Sequence, residues 1–346
     1  MTWNLYRDGI SYSSLSSFLV CRERFYIYKF EKLISSAFNY NMCYGTAFTR
    51  MIESAGNKNQ SHIHILLDYI ESLNNTHIAH TEDIDKLAYI SENQYKRYVN
   101  FYADDPLRIK KHELSFKRTH ATTNIPIIGS IDGVATIDGN VWALETKCRG
   151  KYDELEVEDT LHQNLQTMIY MLMAYDDLKH YGEPLGVVLN LVRRPNSDPY
   201  IIQRKGRGKA KTGAETPKQF YDRILADMDS KPGKLKDKVS GPEHYFTRFY
   251  VEITKEDLHE FNRLHLTKYL WQLKLWYDWF LKDQKLLPNE DLDVRLVSAR
   301  RHLNPYHFQF PIGVFHGPSQ GFKDNYWHYI TSGSRQGLKL DDRKRN

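Results

Sequence analysis

The chain has 346 residues and a formal net charge of +5, with 48 Lys and Arg against 43 Asp and Glu. That charge is too small to imply a polyanionic partner, no stretch approaches the apolar length that crosses a bilayer, and three cysteines build no disulfide framework. Residues 1–10 hold no apolar run for a signal peptide, so the expectation is a soluble, cytoplasmic protein without membrane association.

In chain order, serines that can cap a helix open a helical run over 15–32. Further helices are expected over 45–54, 62–73 and 84–102, giving an α-rich N-terminal third. A strand is expected over 111–117, followed by a pair at 125–132 and 141–147. Leu161, Leu165, Met168, Ile169 and Leu172 recur at helical spacing within 158–181. The continuous apolar run at 185–192 reads as a buried strand. Helices over 220–229 and 255–286 flank a strand at 247–253. Strands interspersed with helices predict an α/β fold, a mixed central β-sheet flanked by helices. Tyr269, Trp271, Trp276, Tyr277, Trp279 and Phe280 on the 255–286 helix read as core packing rather than a base-stacking row.

Between the 185–192 strand and the next helix the charge is one-sided. Arg193, Arg194, Arg204, Lys205, Arg207, Lys209 and Lys211 are opposed only by Asp198, and Gly206, Gly208 and Gly213 interrupt them. A mobile basic loop at about 193–216 suits sequence-independent contact with phosphates. The expected organisation is one domain over 1–286 and an irregular C-terminal extension over 287–346, disordered at its end.

The most informative segment is the strand pair. Asp138-Gly139 lies between β-prone runs, a strong signal for a type I′ hairpin turn. With those residues at the turn, Ile137 faces Asn140, Thr136 faces Val141, and the series carries Asp132 opposite Glu145. Directly opposed Cβ atoms lie about 4.5–5.5 Å apart. Glu145 and Lys147 share a face, and Thr146 points the other way. Two converging carboxylates repel unless a cation sits between them, and Mg²⁺ takes one or two carboxylates with water and phosphate oxygens. A lysine beside them can orient the attacking water, which together is equipment for metal-assisted hydrolysis of a phosphodiester. The alternative is a cross-strand salt bridge on a surface hairpin.

Gly129-x-x-Asp132 followed by Glu145-Thr146-Lys147 resembles the signature of the PD-(D/E)xK nuclease superfamily, in particular its RecB-like exonuclease branch. Residues 11–26, with Cys21 before a basic and aromatic run, are similar to that branch's opening helix. Gly45 to Glu53 resembles its second motif, and Gln166-x-x-x-Tyr170 its last; all occur in the family's order. The resemblance implies a restriction-endonuclease-like core. It further implies Asp132, Glu145 and the main-chain carbonyl of Thr146 on Mg²⁺ or Mn²⁺, Lys147 on the attacking water, and Gln166 and Tyr170 bordering the site. The implied substrate is DNA with free ends, cut to 5′-phosphate products in viral, replication or repair intermediates, and a helicase or recombination partner stays open. Where the family places a histidine ligand this chain has Thr49, with Glu53 one turn later as a substitute oxygen ligand and Glu113 as a supporting one. Only Cys21, Cys43 and Cys148 are present, too few for the four-cysteine iron–sulfur cluster of some relatives. Two other functions fit the same fold: a catalytically silent nucleic-acid or nuclease-partner module, and a structure-specific or RNA-directed endonuclease.

Overall fold

A computed structural model of the chain describes residues 3–54, 61–150, 164–195, 216–229, 242–286 and 338–340. The first elements are α1 (Leu5–Asp8), α2 (Tyr12–Val20) and α3 (Arg22–Tyr26), which runs into a π turn at Ile27–Glu31. Ser11 caps α2 by accepting the N–H of Ser14. The expected single helix over 15–32 is therefore broken, because Cys21 is extended (φ −154°, ψ 107°). Strand β1 (Leu33–Ser35) precedes α4 (Tyr40–Ser54), α5 (His62–Thr76) and α6 (Thr81–Phe101), the α-rich third that the sequence predicts.

The central sheet is built from β2 (Arg108–Thr119), β3 (Pro126–Ile137), β4 (Asn140–Arg149), β5 (Pro184–Arg193) and β6 (Phe246–Glu252), in that spatial order. The β4–β5 pairing is parallel and the other three are antiparallel. The parallel step is possible because α7 (Leu165–Leu178) lies between β4 and β5 in sequence and supplies the crossover. The helix expected over 158–181 starts later: Asn164 is extended, and its side chain accepts the N–H groups of Gln166 and Thr167 as an N-cap. Residues 158–163 lie outside the described residues.

One face of the sheet is covered by α2, α3, α7, α10 (Lys255–Phe261) and α11 (Thr267–Leu286), whose apolar side chains meet Ile131, Ala143, Val187 and Leu189. A π turn at Asn262–Leu266 joins α10 to α11, which makes the expected 255–286 helix one run with a bulge. The aromatic row of that helix splits: Trp276, Tyr277 and Phe280 are buried, whereas Trp271 and Trp279 are 40% and 46% exposed. The opposite face carries α4, α5, α6, α8 (Pro217–Asp229) and α9 (Pro242–Tyr245), packed on Val192, Phe246 and Cys148. Strand β7 (Leu338–Leu340) pairs antiparallel with β1, Leu33 facing Leu340. The 287–346 segment, expected as an irregular extension, thus contributes one described strand. None of the helices in the described residues is long and apolar enough to cross a membrane.

Candidate active site

The hairpin between β3 and β4 has the register that its turn dictates. Asp138 (φ 49°) and Gly139 (φ 85°) both adopt the positive φ that a type I′ turn requires. Ile137 pairs with Asn140 and Thr136 with Val141, and the ladder continues to Gly133 opposite Leu144. There it ends, one pair short of the predicted Asp132–Glu145 partnership. Past that point the N–H of Thr146 is bonded by Asp132 Oδ2 at 2.7 Å. Parting of the strands gives the two acidic residues room, and the Asp132 side chain takes over an N–H that β3 no longer pairs.

Glu145 is only 6% exposed. Its Oε1 accepts Gln166 Nε2 at 2.6 Å and also carries the ion pair with Lys147 Nζ. Its Oε2 is buried without a hydrogen-bond partner among the described residues. Burial, and then the charge of Asp132, push the Glu145 carboxyl up to about 7, against the opposing pull of Lys147 and Gln166. Asp132 is raised for the same first reason, with the Thr146 N–H and Lys147 pulling it down. A buried and a half-buried carboxylate side by side, with one oxygen unpaired among the described residues, make a site that an added cation would relieve.

The pair opens into a cavity of about 460 Å³ lined by Asp132, Glu145, Thr146, Lys147 and Cys148 from the sheet, and by Asn41, Met42, Gly45, Thr46, Thr49 and Arg50 from α4. Helix α4 lies close to β4 at Gly45, where an added Cβ would stand 3.8 Å from that of Cys148. Thr49 thus reaches the site at the position where the resemblance implies histidine. Glu53 follows one turn later on α4, but its side chain lies outside the described residues. Glu113 is exposed on β2 with φ 46° and acts on Asp132 only through its charge. Among the described residues no three His, Cys, Asp or Glu side chains converge as a metal cluster, so the structure does not bring Glu113 in as a third carboxylate. Two carboxylates with an oxygen to spare and an adjacent main-chain carbonyl remain a fitting donor set for a hard cation that keeps several waters.

Tyr170 lies one turn after Gln166 on α7. Its ring meets Phe116 edge-on (5.7 Å, 73°) and Tyr12 (6.4 Å, 81°). Phe116 can lie there because its partner on β3 is Gly129, where a Cβ would come within 2.6 Å of the ring tip. Burial, and then the charge of Glu145, raise the Tyr170 hydroxyl to about 12, so it is a neutral donor at physiological pH.

Of the basic loop, Arg193 and Arg194 are described, at the end of β5 beside the Lys147 end of β4. Arg193 Nε donates to the carbonyl of His244 at 3.0 Å, and the Arg194 guanidinium lies 5.5 Å from the ring centre of Tyr40. Both therefore contribute to packing. Arg204, Lys205, Arg207, Lys209 and Lys211 lie outside the described residues. Two residues escape the sequence reading. Asn190 is fully buried, pairs with Thr146 across β4 and β5, and donates to its hydroxyl at 3.4 Å; its one signal is a polar residue inside an apolar strand. Arg50 lines the cavity, and only the packing of α4 on β4 reveals it.

A family model described as the PD-(D/E)XK nuclease superfamily matches residues 9–248, from before α2 into β6, and includes every cavity residue named above. No curated protein matches the chain.

Proposed function

The chain belongs to the PD-(D/E)XK nuclease superfamily, and from that membership we propose that it is a Mg²⁺- or Mn²⁺-dependent DNA exonuclease that leaves 5′-phosphate products. The observation that carries this reading is Glu145: among the described residues both of its hydrogen-bonding partners sit on Oε1, while the buried Oε2 has none. Asp132, Glu145 and the main-chain carbonyl of Thr146 would hold the cation, which when bound neutralises charge at the phosphate and makes water more acidic.

The chain's own residues supply the rest. Gln166 fixes the Glu145 carboxylate through its 2.6 Å bond, and Asp132 fixes the peptide unit between Glu145 and Thr146. Lys147, held beside Glu145, donates to and orients the attacking water, whose proton passes through solvent to the departing oxygen. The water attacks phosphorus in line with the 3′ oxygen, which departs and leaves phosphate on the 5′ end. Tyr170 keeps its proton and donates toward nucleic acid at the border of the site. Free ends of viral, replication or repair intermediates are the proposed substrates, with the basic segment at 204–211 on the flanking phosphates. A helicase or recombination partner would supply such ends.

The test is cleavage of end-labelled linear DNA with Mg²⁺ or Mn²⁺ and with EDTA, followed by identification of the new termini. Metal-dependent release of 5′-phosphate products is expected. Metal-independent cleavage, or 3′-phosphate products, would overturn the assignment.

A further inference from the structure

Arg50 is exposed, lies on α4 next to Thr49, and lines the same cavity as Asp132, Glu145 and Lys147. Its guanidinium carbon lies 4.7 Å from the ring centre of Tyr69, which is 9% exposed on α5. Stacking on a ring face holds a guanidinium in one plane while leaving its in-plane N–H donors available. Tyr69 does not neutralise that charge, because burial, and then Cys43, keep its phenol protonated. Neither carboxylate of the cavity is paired with Arg50: Glu145 is bonded to Lys147 and Gln166, and Asp132 to the Thr146 N–H. The cavity thus offers two cations of different kinds. Lys147 is tied to a carboxylate, whereas Arg50 is pre-oriented on Tyr69 and has no ion pair among the described residues. A planar fork of donors matches the two non-bridging oxygens of a phosphodiester better than it matches any other part of a nucleotide.

We propose that Arg50 is a substrate-binding residue that grips a backbone phosphate of the nucleic acid beside the scissile bond. The proposal rests on the nuclease reading for the identity of the ligand, but not on the chemistry of the metal. The Tyr69 platform makes α4 the wall of the groove along which the strand runs, opposite the β3–β4 hairpin.

The experiment measures binding of a fluorescent linear DNA oligonucleotide in EDTA across a salt series, with Arg50→Ala and Arg50→Lys beside the wild type. Mg²⁺ binding by calorimetry and cleavage kinetics are measured on the same proteins. Arg50→Ala should weaken DNA binding by on the order of tenfold and make the log–log salt slope shallower by about one, with Mg²⁺ affinity unchanged. Arg50→Lys should recover the slope but not the full affinity, because an ammonium cannot form the fork. An Arg50→Ala protein with wild-type DNA affinity and salt slope would overturn the proposal and leave Arg50 as packing for Tyr69. A wild type that takes up no Mg²⁺ would instead sink the nuclease reading, and the salt slopes would still decide the role of Arg50.

Discussion

Asp132 Oδ2 accepts the backbone N–H of Thr146 at 2.7 Å, just past the last ladder pair between β3 and β4. One expected metal ligand thereby fixes the peptide unit that joins the other two, Glu145 and Thr146. Asp132→Asn keeps an acceptor for that N–H but removes the charge, whereas Asp132→Ala removes both. The Asn protein should fold as the wild type does, and its melting temperature should not respond to added Mg²⁺, which should raise that of the wild type. Asp132→Ala should in addition lose about 1–3 kcal/mol in urea unfolding, because a half-buried N–H is left unpaired. An Asn protein stabilised by Mg²⁺ as strongly as the wild type would remove Asp132 from the ligand set.

Gln166 donates to the oxygen of Glu145 that also meets Lys147. Gln166→Ala frees the carboxylate to turn, so metal affinity or cleavage should fall by about 10–100-fold. Calorimetry with Mn²⁺ beside single-turnover cleavage checks this, and an unchanged Mn²⁺ isotherm with unchanged rate would reduce Gln166 to a spectator.

Lys147→Ala should separate binding from chemistry. The side chain is partly exposed at the cavity, so the variant should fold and still take up metal. Its cleavage rate should drop by about 10²–10³-fold, the usual scale for losing one donor aimed at the reacting atoms. Full activity in this variant would rule out Lys147 as the residue that orients the water.

Gly129 faces Phe116 across β2 and β3, and Phe116 in turn meets Tyr170. A methyl group at 129 would collide with the Phe116 ring. Gly129→Ala should therefore cost about 1–3 kcal/mol of stability through overpacking, and lower activity by displacing Tyr170. Equilibrium urea unfolding reads the first effect and cleavage at a fully folded urea concentration reads the second.

Neutralising Arg204, Lys205, Arg207 and Lys209 together should weaken DNA binding and flatten its salt dependence, whatever the oligonucleotide sequence. A wild-type salt slope would take this segment out of the footprint.

Much of the site was legible because its geometry is local. The Asp138-Gly139 turn sets the register of β3 on β4, and register alone brings Asp132 toward Glu145 and puts Lys147 on the same face as Glu145. The helices and strands around it follow apolar periodicity closely enough that most boundaries move by only a few residues. What periodicity misses is capping and strand splay. Asn164 starts α7 late, Cys21 breaks the first helix, and the ladder opens before Asp132. Each of these depends on one side chain or one set of dihedrals within an otherwise regular pattern. Asn190 showed only as a polar residue inside an apolar strand, and Arg50 not at all, since the contacts of both come from packing between different segments. Leu338–Leu340 found its partner in β1, some three hundred residues away, and nothing in its short sequence indicates that pairing.

The most direct test of the central claim is digestion of linear and circular DNA, single- and double-stranded, with Mg²⁺, Mn²⁺ or EDTA, beside Asp132→Ala. An exonuclease gives metal-dependent loss of linear DNA and intact circles, and the variant gives no digestion. Cutting of circles by the wild type would retain the site but make the enzyme an endonuclease. Folded wild-type protein that binds DNA yet cleaves nothing with either metal would overturn the exonuclease assignment and leave a nucleic-acid-binding module on a nuclease fold.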